Sequence, residues 1–290
     1  MPANDSILHI TDIHFWEVVC NPFKLMNKRF LGNANVIYKR RHEFQQEQAD
    51  AFADVALETG IKTVLLGGDF TSTATEGEFE RAARWVQRMS DHGLDIHLVP
   101  GNHDVYTFES VRKKRFEQYL GPWMPREAYP CRATLPGGTP LILVPTVCPN
   151  YIASSGIITD DEAAQTRALL KAMPEGQPVI VMGHYPVLHK TYSYDSTPNR
   201  QLHNADALRK ALGESGRKIL YLAGHVHRFS YVQDPDYPKL QHATTNAFFL
   251  QRHGETERGG FSEIQCGGEG FEIFAHRCGA GWEREVLALR

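Results

Sequence analysis

An α/β domain with a largely parallel sheet is predicted by three observations. Short apolar runs recur along the chain, longer amphipathic segments separate them, and each run ends in a cluster of polar residues. The runs are Ile7–Ile10 before Thr-Asp-Ile-His and Thr63–Leu66 before Gly-Gly-Asp-Phe. Then come Ile96–Val99 before Pro-Gly-Asn-His-Asp, Val179–Met182 before Gly-His-Tyr-Pro, and Ile219–Ala223 before Gly-His-Val-His. Stretches this short and this rich in Val, Ile and Leu read as strands buried on both faces. Between them, Glu43–Thr59 places Phe44, Ala51, Phe52, Val55 and Ala56 near a helical period. Glu76–His92, Phe108–Leu120, Asp160–Met173 and Ala205–Gly213 have the same character, and several open with acidic or capping residues. Strands alternating with helices give a parallel sheet whose ligands gather at the carboxyl ends of the strands. Each polar cluster falls at such an end.

The pattern changes after residue 229. Ser230–Gln233, Ala247–Leu250, Glu272–His276 and Glu285–Leu289 read as short strands, with glycine turns at 259–261 and 267–270. They are expected to complete the fold as antiparallel structure. No linker, repeat or low-complexity segment intervenes, so residues 1–290 read as one domain with an insertion at about 18–42.

The 290 residues are 42% hydrophobic and 22% charged, an ordinary globular composition, and the formal net charge of −3 supplies no global basic field for nucleic acid. The five cysteines (Cys20, Cys131, Cys148, Cys266 and Cys278) form no CxxC pair, which fits a reducing compartment better than a disulfide framework. The first residues lack the charge and apolar core of a signal peptide, and no apolar run approaches the ~20 residues that span a bilayer. The expected location is therefore the cytoplasm, with peripheral contact at the inner membrane face left open.

The residues at the strand ends are Asp12 and His14, Asp69, Asn102 with His103 and Asp104, His184, and His225 with His227. Carboxylate, imidazole and amide donors without thiolate suit Mn²⁺, Fe, Zn²⁺, Ni²⁺ or Mg²⁺ rather than a thiolate-bound structural zinc. On an extended segment, the Asp-x-His and His-x-His pairs would each direct alternate residues to one face. One metal rarely takes more than four protein ligands, so seven candidates imply two divalent ions sharing a carboxylate. Such pairs suit hydrolysis of phosphate esters by a bridging hydroxide attacking in line.

In order and content, Asp12-Ile13-His14, Gly68-Asp69, Gly101-Asn102-His103-Asp104, Gly183-His184 and Gly224-His225-Val226-His227 resemble the calcineurin-like metallophosphoesterase family. The resemblance spans residues 12–227 and implies an αββα sandwich of two mixed sheets flanked by helices. It also implies a first metal held by Asp12, His14, Asp69 and His227, and a second held by Asp69, Asn102, His184 and His225. His103 would be the general acid, steered by Asp104, a role suited to imidazole at near-neutral pH. The family's aspartate-serine pair after the middle strand is replaced here by Thr146-Val147-Cys148-Pro149-Asn150.

Substrate choice would rest elsewhere. Residues 18–42 hold no acid and six bases (Lys24, Lys28, Arg29, Lys39, Arg40 and Arg41), interleaved with Phe23, Leu25, Met26, Phe30, Leu31, Val36, Ile37 and Tyr38. This segment reads either as a basic helix packed on the domain or as a cap presenting cations to phosphate or to a membrane. Arg40-Arg41-His42 also resembles an element of bacterial cyclic-nucleotide phosphodiesterase-like and UDP-2,3-diacylglucosamine hydrolase-like members. The resemblance thus implies a phosphodiester such as a cyclic nucleotide, or alternatively a lipid-linked diphosphate. A non-catalytic scaffold of the same fold is the alternative of another class. Further contact candidates are His189, Tyr192, Tyr194, Arg200 and His203 in the 185–203 segment, and Arg228.

Overall fold

The computed structural model describes residues 5–20, 29–44, 46–151, 153–189, 198–251, 259–268 and 270–290. Two six-stranded mixed sheets stack with helices on their outer faces. The first contains β1 (Asp5–Ile10), β2 (Thr63–Leu66), β3 (Asp95–Leu98), β12 (Gly260–Gly267), β13 (Gly270–Cys278) and β14 (Trp282–Val286), ordered β14-β13-β12-β1-β2-β3. β1, β2 and β3 run parallel, while β12 pairs with β1 antiparallel. The second contains β4 (Cys131–Thr134), β5 (Pro140–Leu143), β7 (Val179–Met182), β9 (Ile219–Ala223), β10 (Ser230–Gln233) and β11 (Leu240–Thr244), ordered β10-β11-β9-β7-β5-β4. β6 (Gly156–Ile157) and β8 (Leu202–His203) form a separate ribbon. The parallel sheet read from the strand–helix alternation is thus two mixed sheets, the αββα sandwich implied by the family motifs.

The uninterrupted apolar runs follow from this layering. Ile7, Leu65, Ile180, Met182, Leu220 and Leu222 point into the space between the sheets. Their neighbours Leu8, Ile10, Val64 and Leu66 pack under α3 (Ala49–Glu58) and α4 (Glu76–Asp91). Val179, Val181, Ile219 and Tyr221 pack under α7 (Asp160–Lys171) and α8 (Ala205–Gly213). With both faces covered, period-two alternation disappears, and each buried aliphatic side chain contributes about 1.5–3 kcal/mol.

Five features differ from expectation. The segment Phe108–Leu120 divides into α5 (Phe108–Arg112) and α6 (Arg115–Leu120), because Lys114 adopts φ +50° and turns Arg115 inward. Ala247–Leu250 forms no strand among the described residues beyond a single bridge from Leu250 to Phe44; it is buried against the helical core. β11, unread in the sequence, runs parallel to β9, and the last strand is Trp282–Val286. The predicted start at Glu43 is also early, because α3 begins at Ala49.

The residues before α3 form a helical segment of their own: α1 (Arg29–Asn35), a π-helical turn over Val36–Arg40, and α2 (Arg41–Glu43). Phe23, Lys24, Leu25, Met26 and Lys28 lie outside the described residues.

Candidate metal centre

All five clusters leave the carboxyl ends of strands: Asp12 and His14 after β1, Asp69 after β2, Asn102 to Asp104 after β3, His184 after β7, and His225 and His227 after β9. The Asp-x-His and His-x-His pairs are not extended, contrary to expectation. Asp12, His14, Asp69, His225 and His227 have φ values of +54°, +55°, +57°, +67° and +52°. Asp and His are among the residues that enter this region most readily, and each such turn still costs on the order of 1–3 kcal/mol. Tertiary hydrogen bonds hold the turns: Asp12 N donates to Gly68 O and His14 N to Asp69 O, both at 2.9 Å. His225 N donates to Asp12 Oδ2, also at 2.9 Å. Loops this close require glycine at two crossings. A Cβ on Gly101 would collide with the Asp69 amide, and one on Gly224 with Thr11 and the Asp12 carboxylate.

The donor atoms form two groups. In the first, Asp12 Oδ1 lies 3.0 Å from His227 Nε2 and 3.8 Å from His14 Nε2. The two imidazole nitrogens are 3.1 Å apart, and Asp69 Oδ2 is 3.6 Å from His14 Nε2. In the second, the same Asp69 oxygen lies 3.4 Å from His184 Nε2. Asn102 Oδ1 lies 3.1 Å from His184 Nε2 and 2.9 Å from His225 Nδ1. Asp69 Oδ2 therefore belongs to both groups.

The tautomers can be assigned from the far nitrogens. His184 Nδ1 faces Gly67 O at 2.8 Å, His225 Nε2 faces Arg200 O at 2.9 Å, and His14 Nδ1 faces Thr71 O at 3.2 Å. A carbonyl only accepts, so each of these nitrogens carries the proton and its partner nitrogen presents a lone pair to the cluster. Arg40 Nη1, 3.0 Å from His14 Nδ1, then donates to Ser72 Oγ at 3.0 Å.

Electrostatics agree for His14 and His225, whereas His184 without a metal also holds a proton on the nitrogen facing Asp69. Burial, then Arg40, holds His14 well below the usual imidazole range; burial, then His184, does so for His225. Burial opposes protonation of His184 as well, but the Asp69 carboxylate outweighs it and raises that pKa to about 9. Burial would raise Asp12; the facing His227 reverses the effect and lowers it. Convergent N and O donors with a shared carboxylate oxygen fit a pair of divalent ions: Asp12, His14, His227 and Asp69 could hold one, and Asp69, Asn102, His184 and His225 the other.

His103 stands beside this set. Its amide donates to Asp69 Oδ1 at 2.7 Å, its Nδ1 donates to Ser72 O at 2.6 Å, and its ring stacks on Tyr106 at 5.3 Å. The expected Asp104–His103 pairing is replaced by other contacts. Asp104 Oδ1 accepts from Thr71 N and Oγ1, both at 3.0 Å, and Oδ2 accepts from Gly101 N at 2.9 Å. Asp104 thus ties the loop after β2 to the loop after β3.

A cavity of about 340 Å³ opens over the donors, bounded by Leu31, Lys39 and Arg40 of the insertion and by Glu43, Tyr106 and Arg200. Arg40 reaches it; Arg41 and His42 instead bond to each other on the surface at 3.0 Å. His189 and Arg228 are half-buried and do not line the cavity, and His203 is exposed on β8. Tyr192 and Tyr194 lie outside the described residues. Sequence reasoning missed Thr71, Ser72 and Thr146. The Thr146 hydroxyl accepts from the His184 amide at 2.9 Å. The run of hydroxyl residues after Asp69 was the available signal for the first two.

No curated protein is matched by this sequence. A dimetal phosphatase from Danio rerio shares the fold with a TM-score of 0.65 at 14% identity, over 99% of this chain and 100% of that one. A purple acid phosphatase from yellow lupin (Lupinus luteus) seeds gives 0.56 at 9% identity, over 100% of this chain and 54% of the other. The description of calcineurin-like phosphoesterases matches residues 6–229, and the chain belongs to that family.

Proposed function

We infer that this chain hydrolyses a small phosphodiester at a dinuclear metal centre. One observation carries the reading: two groups of buried donors share Asp69 Oδ2, and three of their histidines have the far nitrogen tied to a carbonyl. When bound, two divalent ions (Mn²⁺ or Fe before Zn²⁺, Ni²⁺ or Mg²⁺) would supply Lewis acidity toward water and phosphoryl oxygens. The protein's share is orientation. Gly67, Thr71 and Arg200 carbonyls aim the imidazoles, and Asp104 and the close glycine crossings hold the loops in register.

His103 is the candidate acid. It must deliver a proton from Nε2, which at present accepts from Arg40 Nη2 at 2.9 Å, so a substrate oxygen has to take Arg40's place. The retained donor set argues against a non-catalytic scaffold. Metal analysis with hydrolysis of bis(p-nitrophenyl) phosphate tests the reading. Two bound Mn²⁺ with turnover are expected; a dimetal preparation inactive on every phosphoester would overturn it.

A lipid-linked substrate has one observation in its favour: Phe30, Leu31 and Tyr38 of the insertion are 62%, 56% and 84% exposed, and Leu31 also lines the cavity. It predicts co-sedimentation with anionic vesicles, and recovery of all the protein in the supernatant would remove it.

A further inference from the structure

Three of the helices open with a capping box: α4 on Thr75 and Glu78, α5 on Thr107 and Ser110, and α7 on Thr159 and Glu162. The Glu162 carboxylate is half-buried and, among the described residues, accepts only from Thr159, at 2.7 Å from N and 2.8 Å from Oγ1. Glu78 is wholly buried, and its bond from Thr75 N at 3.2 Å is one of four. Oε2 also accepts from Thr73 N at 2.8 Å, and Oε1 accepts from Thr73 Oγ1 at 3.1 Å and from Glu17 N at 3.3 Å. It forms no direct ion pair among the described residues, and Arg40 acts on it only from further off. A carboxylate buried among neutral donors is costly, and α7 shows that a helix start does not require it.

The extra bonds bracket a strained turn. Ala74 has φ +54°, and Glu78 Oε2 holds the amides on either side of it, Thr73 N and Thr75 N. The same loop carries contacts of the acid and of the insertion. Ser72 O accepts from His103 Nδ1 at 2.6 Å, and Ser72 Oγ accepts from Arg40 Nη1 at 3.0 Å. Thr73 O and Ala74 O accept from Arg29 at 3.0 and 3.1 Å. The Ser72 carbonyl and the Thr73 N–H belong to one planar peptide unit and point in opposite directions. Glu78 therefore holds one end of the plane whose other end holds His103.

We propose that Glu78 is a positioning residue for His103: it fixes the Ser72–Thr73 peptide plane, so that His103 keeps a proton on Nδ1 and presents Nε2 to the cavity. This rests on the hydrolase reading above and on His103 as its acid. Glu78 takes the part that adjacency suggested for Asp104, whose oxygens face Thr71 and Gly101 instead. Without the carboxylate, Thr73 N loses its acceptor, the peptide plane is free to rotate, and the imidazole loses the carbonyl that selects its tautomer. The donor groups of the metal centre make no contact with Glu78 and keep their own carbonyl partners, Thr71 O, Gly67 O and Arg200 O.

The test uses the Mn²⁺-loaded full chain at pH 8, above the value of about 7 to which burial raises Glu78. Two diesters of similar shape are compared: bis(p-nitrophenyl) phosphate, whose leaving group departs unaided, and diphenyl phosphate, which must expel the more basic phenoxide. Glu78→Gln keeps the shape but sets an NH₂ group against donors. It is expected to slow diphenyl phosphate about 10–100-fold and bis(p-nitrophenyl) phosphate less than about threefold, with Mn²⁺ content unchanged. In a His103→Ala background the same change should cost less than about twofold on either ester, because the group it positions is gone. Glu162→Gln should leave both rates unchanged. Equal slowing of both esters, no slowing, or undiminished slowing without His103 overturns the proposal and leaves Glu78 a helix cap. Should Glu78→Gln fail to fold, Thr73→Val decides, since it removes only the hydroxyl donor to Glu78. A loss of about threefold or more confined to diphenyl phosphate then supports the proposal, and an equal or absent loss overturns it. Spectra of ¹⁵N-labelled histidine in the Zn²⁺-loaded chain read the contact apart from turnover. The slowly exchanging Nδ1 proton of His103 should vanish in Glu78→Gln while that of His184, held by Gly67 O, persists; survival of the His103 proton overturns the proposal. Loss of that proton with no ester cleaved by wild type sinks the hydrolase reading and leaves the positioning, and cleavage with the proton retained does the reverse.

Discussion

Two buried groupings of histidine and carboxylate lie in this protein, and they solve the same electrostatic problem in opposite ways. On β12, Glu263 receives Arg284 Nε and Nη2, each at 2.8 Å, His276 Nε2 at 2.8 Å and Gln265 Nε2 at 3.0 Å. Every lone pair meets a donor, led by Arg284, and the Glu263 carboxyl is held down at about 2. The residues sit on regular strands in register. At the carboxyl ends of β1, β2, β7 and β9 the reverse holds. Two carboxylates and four imidazoles crowd together, all but His184 on left-handed turns, and no arginine forms a direct ion pair with either carboxylate among the described residues. Histidine beside carboxylate is thus an incomplete description of a metal site; strained backbone and converging acceptors without a closing cation complete it.

The contrast can be broken most strongly at Asp69. Replacing it with alanine removes the one oxygen common to both donor groups, so loss of paired metal binding and of activity is expected, read by metal analysis and turnover. His103→Ala is expected to retain both metals and slow turnover about 10²–10⁴-fold on substrates with poor leaving groups, and less on p-nitrophenyl esters, which depart unaided. Loss of a metal in that variant would show His103 to be a ligand.

The third effect concerns pH. A raised value near 9 means that metal-free His184 is protonated at pH 7.5 beside Asp69. Metal must displace that proton, so Mn²⁺ addition is expected to release about one proton from this residue, and affinity should fall as pH drops below 9. Calorimetry in buffers of different ionisation heat measures it; zero release would contradict the assignment.

The smallest effect lies at the closed cluster. Glu263→Gln is expected to cost about 1–3 kcal/mol of stability with turnover unchanged. The Glu263 carboxyl is lowered from 4.5 to about 2 on folding, so its contribution is full above the ordinary value and disappears as pH falls from about 4.5 toward 2. Denaturant titrations at pH 7 and pH 3 should therefore differ more for wild type than for the variant.

Much of the metal set was legible because strand ends and ligand chemistry are both local properties. A four-residue apolar run followed by Gly-Asp or Gly-His is visible without knowing what lies opposite. Roles that depend on distant carbonyls were not. Ser72 O orients His103, Thr146 Oγ holds the His184 backbone, and Arg200 O fixes the tautomer of His225. Nothing in the local sequence marks these contacts. Asp104 shows the same limit: its position next to His103 suggested a partnership, yet its oxygens are bound to Thr71 and Gly101. Adjacency along the chain does not set direction once the backbone turns.

Residue type and order therefore decided the layered α/β architecture and the reaction class implied by the donors, while the division of the donors into two groups came from the family resemblance. The first two follow from burial periodicity and from coordination preference, which are carried by each short segment alone. Tertiary structure decided the division into two mixed sheets, the left-handed turns that aim the ligands and the burial of Arg40 between Ser72 and His103. Each of these is a relation between segments brought together only by packing, such as Gly224 against Asp12 or the insertion against the loop after β2.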